Sequence, residues 1–90
     1  MELVLDASHS LKDKRSVVKH LVEATRRRYA VSSAEVGHQD EWGRSTIGFA
    51  AIAADVRHVE DVLDKVERFV WSHPEIEVTS SSRYWVDCSD

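Results

Sequence analysis

The chain has 90 residues, 42% hydrophobic and 31% charged, with a formal net charge of −4; this is the make-up of one globular domain, not of a disordered tail. No apolar run approaches the roughly 20 residues that span a bilayer, and no basic-then-apolar leader precedes the first strand. Cys88, as the one cysteine, excludes an internal disulfide and a cysteine-rich zinc site, so the expected compartment is the cytoplasm, with no membrane contact.

The elements follow in chain order. Glu2-Leu3-Val4-Leu5-Asp6 is rich in β-formers and reads as a short first strand. Ser10 followed by Asp13 fits a capping box, and Leu11, Val18, Leu21, Val22, Thr25 and Tyr29 recur at helical spacing, which predicts a helix over 11–28. Residues 30–36 form a second strand and 46–54 a third, joined by the polar hairpin segment 38–43. Asp55 caps a second helix with the stripe Val56, Val59, Val62, Leu63, Val66, Phe69 and Val70, and with Asp61/Lys65 and Asp64/Arg68 as i,i+4 pairs. Pro74 stops that helix near Ser72, and residues 76–86 form the last strand. The order βαββαβ over 1–90, with right-handed crossovers, gives one α+β domain. It is the ferredoxin-like fold, a four-stranded antiparallel sheet with two helices on one face and the other face open. A domain this small buries only about 60–65% of the surface its unfolded chain exposes, which leaves little interior for a deep pocket.

The net charge hides an uneven layout. Residues 9–28 hold seven basic side chains against Asp13 and Glu23, whereas the remainder holds five basic and fourteen acidic ones. A helix N-terminus favours acids, yet Lys12, Lys14 and Arg15 crowd the first turn here, with Lys19 one turn on. Free backbone N–H groups with three cations suit phosphate; the plainer reading is solvated side chains paired with acids elsewhere. Arg26-Arg27-Arg28 closes the same helix, at the end where cations are welcome. In the hairpin, Gln39, Trp42 and Arg44 offer polar, stacking and cationic groups. Trp42 either stacks on a base or folds back to close the sheet end.

Other chemistries fare worse. Ile47-Gly48-Phe49-Ala50 echoes an RNA-recognition motif, but the aromatics that motif needs on the first and third strands are missing, so Phe49 reads as core. Trp71, Tyr84 and Trp85 read as packing or edge residues. His38, Asp40 and Glu41 fit no metal-ligand spacing. His9, His20, His58 and His73 stand singly, and no serine has a base at a motif spacing. No glycine-rich phosphate loop is present. No catalytic residue, metal or cofactor is therefore assigned.

Ser10-Leu11-Lys12-Asp13-Lys14-Arg15-Ser16-Val17-Val18-Lys19, then residues 31–40 ending Glu35-Val36-Gly37-His38-Gln39-Asp40, then Arg44-Ser45-Thr46-Ile47-Gly48, resemble the YlxP-like family of small bacterial proteins, a domain of unknown function. The resemblance covers residues 3–86 and implies a ferredoxin-like fold, with no catalytic assignment. It also implies gene neighbours among translation and ribosome-maturation factors. Its pattern marks Ser10, Leu11, Lys12, Lys14, Arg15, Glu35, Gln39 and Asp40. Members usually begin several residues earlier, which leaves the first strand short here. Glu35 either pairs with Arg44 or Arg15, or faces solvent on the open sheet.

The leading expectation is a non-catalytic accessory protein that binds structured ribosomal RNA or the ribosome through Lys12, Lys14, Arg15 and Lys19 with the hairpin Gln39, Trp42 and Arg44. The alternative is a protein-interaction or self-assembling module, a homodimer through the open sheet face. An enzyme or small-ligand sensor stands third.

Overall fold

The computed structural model describes residues 1–5 and 10–86; His9, Cys88 and the loop between the first strand and first helix lie outside the described residues. The elements are β1 (Glu2–Val4), α1 (Leu11–Tyr29), β2 (Ser32–Gly37), β3 (Arg44–Ala50), α2 (Val56–Trp71) and β4 (Glu77–Ser80). Each helix starts where a cap is available. Ser10 is extended and its Oγ accepts from the Asp13 N–H at 3.1 Å; Asp55 accepts from the Arg57 N–H at 2.9 Å. Both satisfy donors that a helix start leaves without internal partners.

The sheet order is β2-β3-β1-β4 with every neighbouring pair antiparallel, which is the ferredoxin-like arrangement. Strand alternation sends Leu3, Ile47 and Val78 toward the helices, where they join Leu5, Val18, Leu21, Val70 and Ile76 in one buried cluster. Phe49 packs at its margin. Val56, in the first turn of α2, is exposed and does not belong to the core stripe. Trp71, Tyr84 and Trp85 are exposed too, which excludes packing and leaves the edge half of their reading. Asp61 and Lys65 pair at 3.0 Å as expected, but Asp64 turns to Arg83 (2.8 Å) rather than to Arg68. No helix of the described residues is long and apolar enough to cross a membrane.

Two strands end earlier than the sequence suggests: β3 stops at Ala50, not at 54, and β4 at Ser80, not at 86. Each stops with its ladder partner. β3 ends at Ala50 opposite Ser32, where β2 begins, and β4 ends at Ser80 opposite Glu2 of β1. A β-rich segment without a ladder partner leaves its backbone groups to water.

The Met1 ammonium donates to the Ile47 carbonyl at 2.7 Å. Burial pushes its pKa below the ordinary 8.0, an effect only partly offset by the carboxylates of Glu2 and Glu67. A base with a lowered folded-state pKa holds fewer protons when folded than when unfolded, so stability rises with pH across the interval ending near that ordinary value of 8.0. Thermal scans should show Tm climbing through this interval. N-terminal acetylation keeps an N–H for Ile47 but removes the charge, and should flatten the climb; an equal slope in the acetylated chain would contradict the assignment. Leu21, fully buried between the helix and the sheet, is expected to cost about 2–5 kcal/mol when changed to Ala, read from urea denaturation midpoints at constant m.

Candidate functional site

The α-helix turns 100° per residue, so Lys14 shares a face with Val18, Leu21 and Thr25, and that face is the buried one. Lys14 is accordingly fully buried. Its Nζ lies 2.6 Å from Glu35 Oε2 and donates to the carbonyls of His38 (2.6 Å) and Gln39 (3.2 Å). These three partners use all three ammonium protons. Glu35 Oε2 also accepts from Ser45 Oγ at 2.6 Å, Ser45 itself being fully buried on β3. Lys14 is therefore not a surface cation for an external phosphate, which corrects its place among the anion-binding candidates. Glu35 is half-buried on the helix side of the sheet and pairs with Lys14, not with Arg15 or Arg44, and it does not face solvent on the open sheet.

The opposite face of α1 carries Lys12, Arg15 and Lys19, all exposed and without an ion pair or hydrogen bond to another described residue. Their spacing of three, four and seven keeps them within one stripe. The triple-arginine run divides. Arg26 donates twice to the Ser33 carbonyl (3.1 and 2.6 Å), and Arg28 lies 5.0 Å over the Phe69 ring. Arg27 alone of the three has no described partner.

The hairpin sits beside the first turn of α1 because Lys14 grips its backbone. His38 adopts a left-handed φ of 57°, uncommon for a residue with a side chain, and its carbonyl accepts from both Lys14 Nζ and the Glu41 N–H (3.1 Å). Its Nδ1 faces Glu41 Oε1 at 3.1 Å and its Nε2 faces Arg44 Nη2 at 3.1 Å. Nε2 also lies 3.6 Å from Glu2 Oε2, so the ring sits between two carboxylates and the Arg44 guanidinium. Arg44 also reaches Glu41 at 3.6 Å, which leaves its charge partly neutralised. Gln39 turns back to donate to the Glu35 carbonyl (3.3 Å). Trp42 is 54% exposed and does not fold back over the sheet end. Gly37 lets β2 approach β3 closely, since a Cβ there would lie 3.0 Å from Thr46 Oγ1.

The structure thus brings the Lys12/Arg15 turn and the Trp42/Arg44 hairpin to one end of the molecule. Lys14 is withdrawn as the joint between them. Sequence reasoning missed the joint although the stripe 14, 18, 21, 25 contained it; the charge of Lys14 outweighed its position. It also missed His20 and His73 as neighbours, with ring centroids 5.5 Å apart, because tertiary packing joins α1 to the end of α2.

An antiparallel β2-β3-β1-β4 sheet with two helices on one face, one of them basic on its outer side, defines a small ferredoxin-like α+β domain. The chain belongs to the DUF503 family, described as a protein of unknown function, whose pattern it matches over residues 1–83. It is 36% identical over 84 residues to the uncharacterized protein YlxP of Bacillus subtilis (strain 168), an alignment covering 93% of this chain and 91% of that protein.

Removing one partner of a buried ion pair leaves the other charge uncompensated, at a cost of about 3–5 kcal/mol. Lys14→Ala is expected to fall in that range. Adding Glu35→Gln to it should cost far less than Glu35→Gln does alone, a coupling visible in a double-mutant cycle of unfolding free energies. Additive effects would mean that the pair does not fasten the hairpin to the helix.

Proposed function

We propose that this protein is a non-catalytic cytoplasmic accessory module that docks on structured ribosomal RNA. The observation that supports it best is the outer stripe of α1. Lys12, Arg15 and Lys19 are exposed cations with no described partner, on a chain whose net charge is −4. Elsewhere Lys65, Arg83 and Arg44 are each paired with acids, and Arg57 and Arg68 are exposed on α2 without a described side-chain partner. Lysine and arginine that neutralise phosphates release counterions, which makes such binding steep in salt. Trp42, exposed at the same end, supplies a stacking surface for an unpaired base, and Arg44 flanks it. The acidic remainder confines docking to this face by repelling phosphate everywhere else.

The second reading, self-association through the open sheet face, rests on Val36. It is 63% exposed on the side of β2 away from the helices.

The triple variant Lys12/Arg15/Lys19→Ala separates the two, because none of these side chains supports the fold. Affinity for structured ribosomal RNA, measured at two salt concentrations, should drop at the lower one. The slope of log K against log salt should flatten by about 2–3, with Tm unchanged. Retained affinity and slope would refute the docking face. A concentration-dependent dimer in sedimentation, abolished by Val36→Lys and indifferent to the triple variant, would establish the second reading instead.

A further inference from the structure

At the base of the hairpin one imidazole stands among charged side chains from three separate segments. His38 follows β2, Glu41 lies in the turn, Arg44 opens β3, and Glu2 stands on β1. The His38 Nδ1 is 3.1 Å from Glu41 Oε1. Its Nε2 is 3.1 Å from Arg44 Nη2 and 3.6 Å from Glu2 Oε2. From α1, Lys14 reaches the His38 carbonyl rather than the ring, and behind Glu2 the Met1 ammonium is close enough to feel that carboxylate. The group is held in place from two sides. Lys14 Nζ and the Glu41 N–H both donate to the His38 carbonyl, while Thr46 Oγ1 donates to Glu2 Oε1 at 2.7 Å.

A neutral imidazole has one donor and one acceptor, whereas an imidazolium has two donors and no acceptor. A neutral ring that donates from Nδ1 to Glu41 therefore accepts from Arg44 at Nε2, and the guanidinium is held against the hairpin. A proton added at Nε2 reverses that contact. The new N–H finds its acceptor in Glu2 Oε2, while Arg44 Nη2 then faces a like charge at 3.1 Å. The other contact of Arg44, to Glu41 Oε2 at 3.6 Å, is too long for a hydrogen bond, and the imidazolium competes for the same carboxylate. With its side chain 56% exposed, Arg44 has an open way outward.

The geometry points to His38 as a proton-operated latch on Arg44: the neutral ring holds the guanidinium against the hairpin, and protonation releases it to an external phosphate. The latch rests on the RNA-docking reading above, because it regulates one cation of that face. It adds a condition to that reading. Docking gains a phosphate contact as pH falls, through a residue that itself touches no RNA.

The first measurement needs no RNA. The NMR signals of the Arg44 guanidinium should pass from ordered to freely rotating between about pH 8 and about pH 6, the interval in which histidine changes charge. His38→Asn is neutral throughout, suits the left-handed backbone at this position, and keeps the carbonyl that Lys14 grips. It also keeps His20, His58, His73 and the Met1 ammonium, so its Arg44 signals should show no such transition. With structured ribosomal RNA, the slope of log K against log salt should steepen by about 0.7–0.9 over the same interval, the worth of one phosphate contact. Arg44→Ala and His38→Asn should each abolish that increment. An Arg44 equally ordered at both pH values overturns the latch. So does a steepening that Arg44→Ala retains, which would make the imidazolium itself the phosphate contact. Salt-steep binding that is indifferent to pH refutes the latch and leaves docking by α1 intact, whereas no salt-steep binding at either pH refutes the docking reading and the latch with it.

Discussion

The Lys14 ammonium, enclosed by Glu35 and the carbonyls of His38 and Gln39, is the interaction on which the rest of the functional end depends. A buried charge is tolerated only when its desolvation is offset by a partner and by complete hydrogen bonding, and both conditions are met. Ser45 adds a donor to the carboxylate, so three elements, α1, β2 and β3, meet at one oxygen. No described buried side-chain polar atom lacks a partner. The consequence is positional: the hairpin cannot swing away from the first turn of α1 without stranding a charge in the interior.

That constraint also orders the charge layout. Of the seven basic residues in the segment 9–28, the fold itself uses Lys14, Arg26 and Arg28, through an ion pair, a pair of carbonyl hydrogen bonds and an aromatic ring. Lys12, Arg15, Lys19 and Arg27 remain without described partners. A basic cluster seen in sequence is thus two populations in space. Only Lys14 is withdrawn from the surface and neutralised; Arg26 and Arg28 are anchored but stay exposed, and the second population lies along one side of one helix. The unfavourable placement of cations at a helix N-terminus is correspondingly milder than the sequence suggests, since one of the three is neutralised internally.

Much of the fold was legible because it rests on local rules. Ser10 and Asp55 are caps wherever they precede an amphipathic run, and the stripe through Leu21 or Val66 can only face a core. Strand lengths were less legible. Residues 51–54 and 81–86 have strand-like composition, but a strand is completed by its neighbour: β2 begins opposite Ala50, and β1 pairs with β4 no further than Ser80. The candidate site was half legible. Lys12, Arg15, Lys19 and Arg44 are exposed as expected and Trp42 takes the outward of its two alternatives, while Lys14, chosen for its charge, belonged by helical phase to the core. The family motif pointed at Lys14, Glu35 and Gln39 together without saying that they touch.

The sequence by itself determined the element order, the helix boundaries, the fold class and the concentration of positive charge in the first helix. All of these follow from periodicity, capping and composition within short windows. Only the tertiary structure decided which cations are available and that the hairpin and the helix start share one end. Those properties arise from contacts between residues 20 to 80 positions apart. No local rule encodes the burial of a lysine whose carboxylate partner lies on the next element, 21 residues away.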